Sequence, residues 1–274
     1  MLTRTIPGSG EALPLIGLGT YRTFDAGASV AKRTALAEVL KTLVACGGRM
    51  VDSSPMYGRA EGVVGDLQAQ LGLRPRLFLA TKVWTSGHDA GIRQMQRSLQ
   101  SMQTGTMDLM QIHNLVDVHT HTATLEKWKQ QGKIRYLGIT HYHEGAYGEL
   151  ERLIATRRYD FVQLNYCMAE RTAERRLLPL AHETGVAVIV NRPLAQAGLF
   201  SRVRGKALPP WAAEFDCSSW SQFFLKYVVS HPAVTCAIPA TSEPAHMLSN
   251  AMAGDGRLPD EPMRARMVRH FESL

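Results

Sequence analysis

Four side chains with complementary acid–base chemistry follow one another after short apolar runs. Val51-Asp52-Ser53-Ser54-Pro55-Met56-Tyr57-Gly58 leaves a strand-like stretch, turns at a proline and offers a carboxylate and a phenol. Lys82 ends the run Leu77-Phe78-Leu79-Ala80-Thr81, and His113 ends Asp108-Leu109-Met110-Gln111-Ile112. A tyrosine hydroxyl, with an ordinary pKa near 10, is a poor acid at neutral pH. A neighbouring ammonium pulls that value down by favouring the phenolate. Lys82 can supply the charge, and Asp52 can keep Lys82 protonated where water is excluded. Each residue also has an ordinary explanation: a turn-capping aspartate, a half-buried tyrosine, a surface ion pair, a hydrogen-bonded core histidine. A lysine at the inward end of a strand is the hardest to explain this way, because buried lysines are rare unless paired.

Bringing these groups together requires consecutive parallel strands that end at one rim. The hydrophobic pattern supplies them. Strands at 13–20, 49–52, 77–82, 107–113, 134–140, 159–165, 186–190 and 234–238 alternate with helices at 29–46, 60–71, 91–102, 124–131, 146–156, 173–183, 219–229 and 244–252. Eight strand–helix units and no second compositional region predict an α/β fold, one (β/α)8 TIM barrel over residues 1–274. Neighbouring strands of such a barrel lie about 4.8 Å apart, and active sites sit at their carboxyl ends. Two segments break the rhythm. Residues 195–218 form a long loop containing Pro209-Pro210-Trp211, read either as a flap over a ligand or as a surface excursion. The tail at 259–274 carries Met263, Met267 and Phe271 at helical spacing and is expected to pack on the barrel.

Composition narrows the function classes. Of 274 residues, 45% are hydrophobic and 20% charged, an ordinary globular balance. The net charge of +7 is spread over small groups such as Arg157-Arg158, Arg175-Arg176 and Arg202, Arg204 and Lys206. This pattern reads as solvated faces rather than a nucleic-acid surface. No apolar run is long enough to span a membrane. The amino-terminal residues lack the apolar core of a signal peptide. With Cys46, Cys167, Cys217 and Cys236 scattered, a reduced, cytoplasmic protein is expected. Nothing in the sequence fixes an oligomeric state.

The constellation Asp52, Tyr57, Lys82 and His113 resembles the catalytic tetrad of the aldo-keto reductases. Gly17-Leu18-Gly19-Thr20, Gly138-Ile139-Thr140-His141-Tyr142, Gln163-Leu164-Asn165-Tyr166 and Ile238-Pro239-Ala240-Thr241-Ser242 fall at strand ends in that family's order, so the likeness runs through the whole chain. It implies an NAD(P)H-dependent oxidoreductase that reduces an aldehyde, ketone or sugar carbonyl to an alcohol. Tyr57 would be the general acid, Lys82 and Asp52 would tune it, and His113 would orient the carbonyl.

The chain has neither Gly-x-Gly-x-x-Gly nor Gly-x-x-x-x-Gly-Lys, which argues against a Rossmann or P-loop site. By resemblance, NADPH, or alternatively NADH, would lie on the barrel rim. Gly19, Thr20 and Asp52 would take the ribose side, Thr140, His141 and Gln163 the carboxamide, and Thr241, Ser242, His246 and Asn250 the adenosine end. Asn191 or Arg192 stands where many members stack an aromatic ring on nicotinamide. Ala240 and His246 stand where NADP-preferring members have Lys and Arg, and Arg202 or Lys206 is a loop cation able to compensate. Trp84, Leu115 and Trp211 are candidate pocket walls, and the short tail implies an open pocket. Rival readings are a metal-dependent hydrolase using His141 and His143 or His119 and His121, a Schiff-base aldolase using Lys82, and a non-catalytic nucleotide sensor. The first lacks enough further ligands, so no metal is expected.

Overall fold

The computed structural model describes residues 1–274. Its chain opens with an antiparallel hairpin, β1 (Thr3–Thr5) and β2 (Ala12–Pro14), which pairs Thr3 with Pro14 and Thr5 with Ala12. Eight parallel strands follow: β3 (Leu18–Gly19), β4 (Met50–Asp52), β5 (Phe78–Val83), β6 (Met107–His113), β7 (Ile134–Thr140), β8 (Phe161–Asn165), β9 (Ala187–Asn191) and β10 (Val234–Ala237). They neighbour one another in chain order, and bridges from Ile16 to Ala237 and from Gly19 to Ala240 bring the last strand back to the first. The expected TIM barrel is therefore present. Gly19 permits this closure, because a Cβ there would meet the Ile238 carbonyl oxygen at 2.8 Å.

The residues read as one first strand, 13–20, divide in two. Leu13 belongs to the hairpin, whereas Leu18 and Gly19 form the barrel strand β3 and Ile16 bridges to the last strand. The hairpin plugs the amino end of the barrel. Ile6 and Leu13 join Met50, Phe78, Leu109, Phe161 and Ile189 in an inner cluster of 12 buried residues. Arg4 Nη1 anchors the plug by donating to the His231 carbonyl at 2.9 Å and to the Val234 carbonyl. With one end stoppered, the other end remains for ligands.

An outer core of 66 buried residues fills the space between barrel and helices. These helices are α1 (Val30–Ala45), α2 (Ala60–Gln70), α3 (His88–Ser101), α4 (Val118–Gln130), α5 (Tyr147–Ala155), α6 (Leu177–Thr184), α7 (Gly198–Arg202), α8 (Trp220–Val229), α9 (Pro244–Met252) and α10 (Glu261–Glu272). Ser29 caps α1 by accepting from Lys32 N, and Asp260 caps α10 by accepting from Met263 N. The tail is a helix as expected, with Met267 and Phe271 buried and Met263 partly so. Arg264 fastens it to Glu174 at 2.5 Å, in a cluster with Tyr166 and Tyr227. No helix is long and apolar enough to cross a membrane.

Residues 195–218 are not a structureless loop. They hold α7 between two short 3-10 turns, Ala195–Ala197 and Pro210–Phe215. The second half packs away from the barrel mouth, with Trp211 5.8 Å from Phe223 and 5.6 Å from His270, ring to ring.

Candidate active site

Parallel register sets the site. Gly19 lies beside Asp52, Lys82 beside Gln111, His113 beside Thr140, and Thr140 beside Gln163. These pairs bring side chains from β3 to β8 to the carboxyl rim of the barrel. There they open into a cavity of about 970 Å3, near the upper end for small-molecule sites.

The base of the cavity is an ion pair. Lys82 is fully buried, and its Nζ donates to Asp52 Oδ2 at 2.6 Å and to the Ser53 carbonyl at 2.7 Å. Asp52 Oδ1 accepts from Gln111 Nε2 at 2.9 Å and Gln163 Nε2 at 3.0 Å, so both carboxylate oxygens are satisfied. Desolvation pulls the Lys82 ammonium down, but Asp52 and Tyr57 outweigh it and leave the lysine above its ordinary value. It stays charged at neutral pH. Lys82 Nζ lies 5.1 Å from the centroid of the Tyr57 ring.

Tyr57 is half-buried at the cavity wall. Desolvation holds its phenol above the ordinary tyrosine value, while Lys82 acts in the opposite direction. Lys82 therefore offsets a burial effect rather than producing a phenol more acidic than usual. His113 lies 6.0 Å from Tyr57, ring to ring, with the planes at 85°. Burial, with help from Lys82 and His141, depresses its pKa to about 3, so the imidazole is neutral at physiological pH.

Of the remaining expected ligand residues, Gly19, Thr20, Thr140, Gln163, Asn191, Arg192, Thr241, His246 and Asn250 line the cavity. The His141 side chain does not: it stacks on Tyr142, and its Nδ1 accepts from Tyr142 N at 3.0 Å. Only the His141 backbone faces this network, through its carbonyl, which accepts from Asn191 Nδ2 at 3.0 Å. Ser242 also lies outside the lining. Arg202 is held by the Glu272 carbonyl and the Phe271 ring, and Lys206 by the Leu274 carbonyl; neither lines the cavity. None of the candidate walls lines the cavity: Trp84 stands 6.2 Å from His113, ring to ring, and Leu115 and Trp211 pack against the outer core. The first limb of the 195–218 segment contributes Gln196, Ala197 and Phe200 to the lining.

Several contributors escaped the sequence reading. Gln111 is one of two amides that donate to Asp52, and its signal was a lone amide inside an apolar strand. Ser54 read as part of a turn, yet its Oγ lies 3.1 Å from His113 Nδ1. Ser219 and Ser221 at the start of α8, with Ser249 of α9, form a triangle of hydroxyls 3.0 Å apart on the cavity wall. No group of three or more His, Cys, Asp or Glu side chains, around His141 and His143 or elsewhere, is placed to hold a metal ion.

Comparison with known proteins gives the frame its name. Residues 15–266 match the model of the aldo/keto reductase family. A methylglyoxal reductase of Escherichia coli (strain K12) is 32% identical, with 92% of this chain and 89% of that protein covered. A glyoxal reductase of Bacillus subtilis (strain 168) is 25% identical over 93% of this chain and 88% of its own. Two aldo-keto reductase structures from Klebsiella pneumoniae superpose closely. One, in complex with NADP and acetate, has a TM-score of 0.81 at 28% identity, covering 97% of this chain and 94% of its own. The other, in complex with NADPH, has a TM-score of 0.79 at 29% identity, covering 99% and 96%. Strand order, rim geometry and a family match spanning the barrel agree: this chain belongs to the aldo/keto reductase family.

Proposed function

We propose that the protein reduces small aldehydes, 2-oxoaldehydes foremost, to alcohols with NADPH. The observation that carries this reading is the buried Lys82–Asp52 pair beneath Tyr57, beside a neutral His113, at the rim of one large cavity. The substrate class follows the named activities of the relatives, methylglyoxal and glyoxal reduction.

The residues fit the cofactor. Asn191 Oδ1 is buried without a hydrogen-bond partner, close to Thr140 and Gln163, and suits an amide N–H such as the nicotinamide carboxamide. Thr241, Asn250 and the serine hydroxyls offer neutral partners for the adenosine end. When bound, the nicotinamide supplies the hydride. His113, being neutral, gives a hydrogen bond to the carbonyl oxygen and fixes its direction. Tyr57 passes its hydroxyl proton to that oxygen as negative charge develops there, and the alcohol leaves. Lys82 sits next to the phenolate so formed and stabilises it, while Asp52, held by two amides, keeps Lys82 in place. Reprotonation of Tyr57 from solvent closes the cycle.

The test is NADPH oxidation over methylglyoxal, glyoxal, simple ketones and aldoses. The expected result is turnover with the highest kcat/KM for the 2-oxoaldehydes. NADPH that quenches tryptophan fluorescence, through Trp220 on the cavity wall, but that none of these carbonyls oxidises would identify a nucleotide-binding sensor instead.

A further inference from the structure

Ser54 is fully buried between the Asp52 strand end and His113. Its Oγ makes two hydrogen bonds: it accepts from the Met56 backbone N–H at 3.2 Å and meets His113 Nδ1 at 3.1 Å. The second contact has two possible directions. If Nδ1 carried the proton, the serine hydrogen would have no acceptor in a water-excluded position, and an orphaned buried donor is costly. If the serine donates, all three groups are satisfied, and the single imidazole proton must sit on Nε2. Lys82 beneath the site is a cation and disfavours a second charge on the ring, so the imidazole carries one proton only.

We propose that Ser54 is a positioning residue that holds His113 as the Nε2–H tautomer, so that a hydrogen-bond donor points at the substrate carbonyl. The proposal rests on the reading of His113 as the carbonyl-orienting group. It places Ser54 one step behind the chemistry, acting through the ring. The turn that carries Tyr57 holds Ser54 as well, because Tyr57 N donates to the Ser54 carbonyl at 3.0 Å. One short segment thus sets both the proton donor and the orientation of its partner.

Long-range proton–nitrogen NMR on the 15N-histidine-labelled protein reads the tautomer without any turnover. In the wild type, His113 Nδ1 is expected in the unprotonated range and Nε2 in the protonated range. Ser54→Ala should move both signals toward their average, as the two tautomers mix. Its kcat/KM for methylglyoxal should fall roughly 3- to 10-fold, the loss of about one neutral hydrogen bond, while NADPH affinity stays unchanged. A protonated Nδ1 in the wild type, or signals unmoved in Ser54→Ala, would overturn the role of Ser54 whatever the activity. Tautomer mixing in a protein that reduces no carbonyl would sustain the Ser54–His113 linkage and remove the reductase reading instead.

Discussion

At the residue scale, the site turns on how a buried charge pair is completed. Lys82 is tolerated at full burial because Asp52 accepts its proton-bearing end and two amides hold Asp52. Lys82→Met would leave Asp52 as an uncompensated buried carboxylate, so unfolding in urea should show a loss of about 3–5 kcal/mol. Lys82→Met should also lower kcat severely; a variant that keeps both stability and turnover would remove the pair from the account. The pH profile follows from the other two groups. In the proposed mechanism reduction needs a protonated phenol, and the Tyr57 pKa is raised, so its proton is retained through neutral pH. His113 titrates near 3, so it places no acidic limb in the working range. The kcat/KM for reduction is therefore expected to be flat from about pH 5 to 9 and to fall only at higher pH. A limb near pH 6.5 would assign His113 a charged role.

At the scale of elements, the strand ends were legible and their supports were not. Asp52, Lys82 and His113 each close an apolar run, and 107–113 and 134–140 coincide with β6 and β7. By contrast, α4 begins at Val118, six positions before the expected 124, because His121, Thr122 and Thr124 are polar yet buried and blur the apolar stripe. The hairpin was hidden because the apolar residues 13–16 pass from plug to barrel without a change of composition. Helix packing makes a sharp test. A Cβ on Gly65 of α2 would meet the Ser101 carbonyl at 2.0 Å, whereas one on Gly62, also on α2, meets nothing within 4 Å. Gly65→Ala should destabilise by about 1–3 kcal/mol, and Gly62→Ala should stabilise by about 0.5–1 kcal/mol; denaturant midpoints distinguish them. On the proposed reading, the segment leading into α9 sets the cofactor preference. Ala240 and His246 line the cavity, while Arg202 and Lys206 are tied to the carboxyl terminus. Neutral hydroxyls would then take the 2′-phosphate, and NADPH should be preferred over NADH by only about 10–100-fold in kcat/KM. A preference above roughly a thousandfold would mean that a cation such as Arg22, which also lines the cavity, reaches the phosphate.

At the scale of the whole molecule, one barrel is plugged at its amino end and open at the other, and its histidines make it sensitive to acid. His113 and His231 have pKa values depressed to about 3 and about 4, mainly by burial. Unfolded, each would titrate near 6.5. The unfolded chain therefore binds more protons over that window, so this part of the stability is complete above about pH 6.5 and is lost as pH falls. The melting temperature should drop between about pH 7.5 and pH 5, and a flat or rising trend would mean that these rings are not held neutral. The fold as a whole was legible because eight alternations leave few topologies, whereas Gln111, Ser54 and the serine triangle acquire meaning only through neighbours distant in sequence. In the proposed mechanism Tyr57 gives the proton during carbonyl reduction. Tyr57→Phe removes a single hydroxyl, and the decisive measurement is kcat for methylglyoxal with NADPH, alongside NADPH affinity by fluorescence titration. The expected outcome is a kcat lower by about 10²–10⁴-fold with NADPH bound as in the wild type. Turnover at the wild-type rate, with the chemical step rate-limiting, would contradict it.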